Sequence, residues 1–149
     1  MLRCISPLQH SASDLPSERN RVTLDNILFL GGHEMPAGLY NFLAEQGATL
    51  QRTILYTDAN DVATNLTGYT AAMQVRATAS SATVLLTATT ENGRITLGGA
   101  AGTIDILVSA STMQAMTPGK YVYDLELYKD GVVIRLIEGS FTVKAEVTR

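Results

Sequence analysis

The sequence predicts an all-β protein: an antiparallel, immunoglobulin-like β-sandwich of about eight short strands with one short helix, preceded by an irregular N-terminal extension. Three observations predict it. Apolar and polar residues alternate with period two in 69–76 and 120–127, the mark of strands with one buried face. Turn signals built on Gly, Asn, Asp and Pro recur roughly every 8–12 residues. A single stretch, 110–116, has helical character, and Pro118-Gly119 stops it after a turn or two.

Taken in order, residues 1–34 read as an extension or arm and 35–149 as the sandwich domain. The arm holds a loop-like Ser11-Ala12-Ser13-Asp14-Leu15-Pro16-Ser17-Glu18 and a brief apolar run, Ile27-Leu28-Phe29-Leu30, set between Asp25-Asn26 and Gly31-Gly32. Ile27, Leu28, Phe29 and Leu30 are candidate contacts with a neighbouring subunit. The competing readings are an arm without a role and a natural start at Met35. Strands are expected over 39–44, 49–57, 69–76, 83–90, 94–97 and 103–109. Between them stand the turn residues Asp58-Ala59-Asn60-Asp61, Glu91-Asn92-Gly93 and the glycine-rich 98–102.

The clearest pattern comes last. Tyr121, Tyr123, Leu125 and Leu127 face one way, against Val122, Asp124 and Glu126. Asp130-Gly131 follows, a strong signal for a two-residue hairpin turn of type I′. That turn pairs Lys129 with Val132, Leu127 with Ile134, Glu126 with Arg135 and Leu125 with Leu136. A final strand over 141–147 closes the chain, and Pro118-Gly119-Lys120-Tyr121 suits a tyrosine corner. The expected core is Leu55, Tyr69, Met73, Val75, Leu85, Ile95, Ile104, Ile106, Val108, Tyr121, Tyr123, Leu125, Ile134, Leu136, Phe141 and Val143.

Composition narrows the function. At 149 residues, 46% hydrophobic and 17% charged, the chain can bury a core of its own. A net charge of −3 with no basic cluster argues against nucleic-acid binding. Cys4 stands alone, so no internal disulfide is expected. The start of the chain lacks the apolar core of a signal peptide, and no run approaches the roughly 18–20 apolar residues of a membrane span. The Asn65-Leu66-Thr67 sequon is a chance match without a secretion signal.

Chemistry is sparse. Nucleophilic catalysis usually needs a positioned base, and His10 and His33 both lie in the extension. Their spacing with Cys4 fits no zinc pattern. Asp124 and Glu126 share a strand face but read as a solvated pair partnered by Arg135. Asp58, Asn60 and Asp61 lack the calcium-binding ladder. The glycines of 98–102 lead into a strand, not a helix N-terminus that could cradle phosphate. No catalytic, cofactor-binding or metal-binding residue is therefore expected, and the protein is not expected to be an enzyme. Tyr56 and Asp58 are candidate partner contacts at one end of the sandwich.

Several phrases stand in a characteristic order: Glu45-Gln46-Gly47-Ala48-Thr49, then Asn65-Leu66-Thr67-Gly68-Tyr69-Thr70-Ala71-Ala72-Met73-Gln74-Val75-Arg76, then Pro118-Gly119-Lys120-Tyr121-Val122-Tyr123-Asp124-Leu125-Glu126-Leu127. Gly139-Ser140-Phe141-Thr142-Val143 and Glu146-Val147-Thr148-Arg149 complete the set. Together they resemble small phage and prophage tail-region proteins and, more loosely, the N-terminal β-sandwich domain of baseplate upper proteins that attach receptor-binding fibres. The resemblance covers about 36–149. Ala48 and Asn65 stand where the family pattern has Asp, and no fibre-bearing helix follows. The family has no catalytic residues to carry over. The resemblance implies a virion structural protein of a phage tail or baseplate, made in the host bacterial cytoplasm. It would act as a homo-oligomeric adaptor linking the tail to fibres or other tail subunits, with no cofactor, nucleic acid or membrane as partner. The alternatives are a carbohydrate- or receptor-binding sandwich module and a head decoration or head–tail connector protein.

Overall fold

The computed structural model describes residues 37–148, together with the backbone of two short strands in the segment before them. In chain order the strands are β1 Arg3–Ile5, β2 Arg21–Asp25, β3 Gly38–Leu39, β4 Phe42–Glu45, β5 Leu50–Tyr56, β6 Thr70–Arg76, β7 Val84–Thr89, β8 Ile95–Leu97, β9 Thr103–Val108, β10 Gly119–Lys129 and β11 Val132–Lys144. One short helix, α1 Ala110–Gln114, separates β9 from β10, and its N-cap Ser109 accepts a bond from the Thr112 N–H.

Two sheets stack. The first has the order β1-β2-β5-β9-β8; the second has β3-β11-β10-β6-β7, with β4 also paired to β11. This is the immunoglobulin-like sandwich, with its central pairings antiparallel. The parallel pairings are those of β3 and β4 on β11 and of β2 on β5. A two-residue hairpin cannot join such neighbours. The chain instead leaves the second sheet after β4 and returns to it with β6. The extension is not irregular throughout, since β1 and β2 add two strands to the first sheet. Ile27, Leu28, Phe29 and Leu30 lie outside the described residues.

The core fills the space between the sheets. Met73, Val75, Ile95, Ile104, Ile106, Val108, Tyr123, Leu125, Leu136, Phe141 and Val143 are buried as expected. Leu85 is exposed and Leu86 is buried instead. Ile54, not Leu55, is the deep residue of β5. Both corrections have one cause. Ile54-Leu55-Tyr56 and Val84-Leu85-Leu86 are apolar triplets, and a triplet does not reveal which parity faces inward. Leu50 sets the parity in β5 and Ala88 in β7. Tyr69, Tyr121 and Ile134 pack on the core's margin rather than within it.

The hairpin register holds from Lys129↔Val132 through Glu126↔Arg135 and then slips, with Leu125 opposite Ile137 rather than Leu136. A β-bulge between Leu125 and Glu126 places two residues of β11 opposite one of β10. Consequently Leu136 and Ile137 are both buried although adjacent. The strand expected over 141–147 is the second half of β11, which ends at Lys144. At the turn, Asp130 has φ 51° and Gly131 φ 79°, the two positive values of type I′. The tyrosine corner is present: the Tyr121 hydroxyl donates to the Thr117 carbonyl at 2.6 Å.

Aromatic rings lock the parallel closure. Phe42 on β4 meets Tyr123 edge-on at 4.8 Å, Tyr40 edge-on at 5.0 Å and Phe141 at 5.7 Å between ring centroids. Such pairs add to the area they bury.

Candidate partner-binding face

The phrases that carry the family resemblance turn out to be framework. In Asn65-Leu66-Thr67-Gly68, the Asn65 Oδ1 accepts the Thr67 N–H at 2.9 Å, Leu66 is buried, and Gly68 holds φ 81°. A carboxylate oxygen can make the same bond, so Asn for Asp at this position preserves the turn. Gln46 ties the β4–β5 loop to two distant segments. Its Nε2 donates to the carbonyls of Gln114 and Met116, and its Oε1 accepts from the Glu146 N–H. Leu125, in the third phrase, is fully buried.

What these strands turn outward is a different set. The outer face of the second sheet forms an open depression of about 930 Å³. Ala72, Gln74 and Arg76 of β6 line it, with Val122, Asp124, Glu126 and Tyr128 of β10 beside them. Arg135, Glu138 and Ser140 of β11 and Leu39 of β3 complete the wall. Arg135 is the hub. Its Nη2 lies 3.3 Å from Glu126 Oε1, its Nε 3.5 Å from Asp124 Oδ2, and its Nη1 3.9 Å from Glu138 Oε2. Arg76 donates to Gln74 Oε1 at 2.8 Å and to the Ser81 carbonyl.

Burial, followed by repulsion from Glu126, pushes the Asp124 carboxyl above the usual carboxylate range against the pull of Arg135. The Tyr128 hydroxyl donates to Glu126 and is thereby pushed up to about 12. Charge here is mixed and internally paired, with Leu39 and Val122 exposed at its edges. Such a surface suits a protein partner better than a small anion or cation. Asp124 and Glu126 fall where the alternation put them, with Arg135 as partner. Gln74, Arg76, Val122 and Glu138 were not singled out by sequence reasoning. The signal available was their place on the polar side of the best-patterned strands.

The two other described candidates sit at the loop end. Tyr56 closes β5 half-buried, with its ring against the core, and burial beside Tyr69 raises its hydroxyl. The exposed Asp58 uses Oδ1 to accept the N–H groups of Asn60 at 2.8 Å and Val62 at 3.0 Å. Asp61 follows with φ 59°. This carboxylate shapes its own turn. Among the described residues, no group of three or more His, Cys, Asp or Glu is placed to hold a metal ion. Among the same residues, no helix is long and apolar enough to cross a membrane.

No protein-family model matches the chain, and no curated protein matches it. Among solved structures, the chain is similar to the NK cell receptor Nkp44, described as a triggering partner in natural cytotoxicity. That match has TM-score 0.41 and 15% identity, over 74% of this chain and all of that one. The chain is also similar to the N-terminal domain of phage TP901-1 ORF48, with TM-score 0.47 and 12% identity, over 85% of this chain and 97% of that one.

Proposed function

We propose that the protein is a structural subunit of a bacteriophage tail or baseplate. In this reading it assembles with copies of itself and joins other tail components through shape-complementary packing and strand-edge pairing. The observation that carries the reading is the ordered set of sequence phrases spanning 36–149. The mixed-charge face of the second sheet supplies the surface for a neighbour, and the segment 1–34 the arm. Its working place is the virion.

The test is composition of the particle. Purified virions or tails, separated from free protein by density gradient, should contain this chain in near-stoichiometric amount. A particle lacking the chain sinks the reading. The face itself is tested with Val122→Arg, which places a charge among Asp124, Arg76 and Leu39 without touching the core. Incorporation into particles should fall at least about tenfold, with the unfolding midpoint unchanged. Normal incorporation would move the contact elsewhere.

A further inference from the structure

Sheet edges are where unpaired backbone groups invite another chain, and proteins block them. Both exposed edges of the second sheet carry side-chain plugs. On β7, Asn92 Nδ2 and Arg94 Nη1 both donate to the Thr87 carbonyl, at 3.1 and 2.8 Å, while Asn92 Oδ1 accepts the Thr89 N–H at 2.9 Å. On β4, Arg52 Nη2 donates to the Leu43 carbonyl at 3.2 Å. In the first sheet, β8 is a three-residue edge, too short to template much. The flank of β5 is handled differently: a strand covers it. Residues Arg21, Val22, Thr23 and Leu24 of β2 pair in parallel with Thr53, Ile54, Leu55 and Tyr56.

The connection that follows that strand is long in sequence. Between β2 and β3 lie residues 26–37, which can span roughly 40 Å when extended, whereas stacked sheets are about 10 Å apart. Fully extended, the connection reaches several times that spacing, and Gly31-Gly32 sits within it. A core drawn from residues 42–143 already fills the space between the sheets. An identical strand from another copy makes the same backbone bonds, so exchange alters the connectivity and not the pairing.

We infer that the β5 edge is a strand-acceptor site whose occupant in the assembled state is the Arg21–Asp25 strand of a second copy of this chain. Each subunit then receives a strand and gives one, which links subunits without any new interface chemistry. This rests on the assembly reading only in supplying the neighbour.

Cα partners in the register are Thr23 and Leu55, which sets the experiment. Two full-length variants are made in a Cys4→Ser background, one Thr23→Cys and the other Leu55→Cys. They are unfolded, mixed, refolded together and oxidised. Expected is a disulfide-linked dimer from the mixture, at least tenfold above either variant alone. It should be lost when Val22→Pro is added to the Thr23→Cys chain, because Pro removes a ladder donor. The inference is overturned if the mixture stays monomeric, whether or not the double variant Thr23→Cys, Leu55→Cys closes within one chain. Equal dimer from the single variants also overturns it. The measurement needs no particle, so its result is independent of where the protein resides.

Discussion

Tyr121 shows how much one hydroxyl can hold. It stands at the entry to β10 and reaches back four residues to the Thr117 carbonyl, fixing the chain as it leaves α1. Tyr121→Phe keeps the ring and removes the bond, which should cost about 0.5–1.5 kcal/mol in urea unfolding, with an unchanged slope. Tyr128 offers a readout by pH. Its bond to Glu126 favours the neutral phenol, raising the folded value from 10.0 to about 12. The contribution is complete below pH 10 and is lost as pH climbs through 10 to about 12. Phenolate absorbance should therefore include a late ionisation from Tyr128, and Glu126→Gln should bring that component back toward the ordinary range.

The strands differ in how readily sequence reveals them. In β6 and β10 the alternation is strict, and Met73, Val75, Tyr123 and Leu125 were assignable to the core from spacing alone. In β5 and β7 an apolar triplet hides the parity, which the packed sheets settle. This gives a direct comparison: Leu86→Ala should cost about 2–5 kcal/mol and Leu85→Ala under about 0.5, by thermal or urea unfolding. The bulge at Leu125/Glu126 was not legible, because Leu136-Ile137 offers two apolar residues for one inward position and the sequence carries no sign of the choice. Nor were the parallel pairings, since local turn chemistry reports only on adjacent strands. Gly139 becomes intelligible only with them. A Cβ there would meet the Tyr40 backbone carbonyl where β3 gives way to β4. Gly139→Ala should push β3 and β4 off β11, losing several kcal/mol of stability and weakening the near-ultraviolet signal from the Tyr40, Phe42, Tyr123 and Phe141 rings.

For the whole molecule, the fold was legible because two-sheet packing requires the same alternation everywhere it applies. The candidate face was not, because solvent-facing positions obey no periodic rule of their own. Asp124, Glu126 and Arg135 could be placed together from the hairpin register. The contribution of Arg76, Gln74 and Leu39 needed the lateral order of β6, β10, β11 and β3, which short-range signals do not encode. The phrases behind the family resemblance are largely occupied by turn caps, core residues and the corner tyrosine. They report on how the chain folds more directly than on what it touches.

The parallel seam between β4 and β11 has a consequence for how the protein is made. Phe42 pairs with Phe141, so a strand synthesised before β5 waits for one synthesised after β10. During translation β11 is the strand it pairs with, and that strand is complete only once Lys144 has emerged. Until then β4 carries an uncovered aromatic on an unfinished sheet, and pairings this distant in sequence form slowly. A message truncated before Lys144 would release a chain in which β4 has no complete strand to pair with. Such a product is a substrate for proteolysis or aggregation, so closing the seam between β4 and β11 is a late folding step.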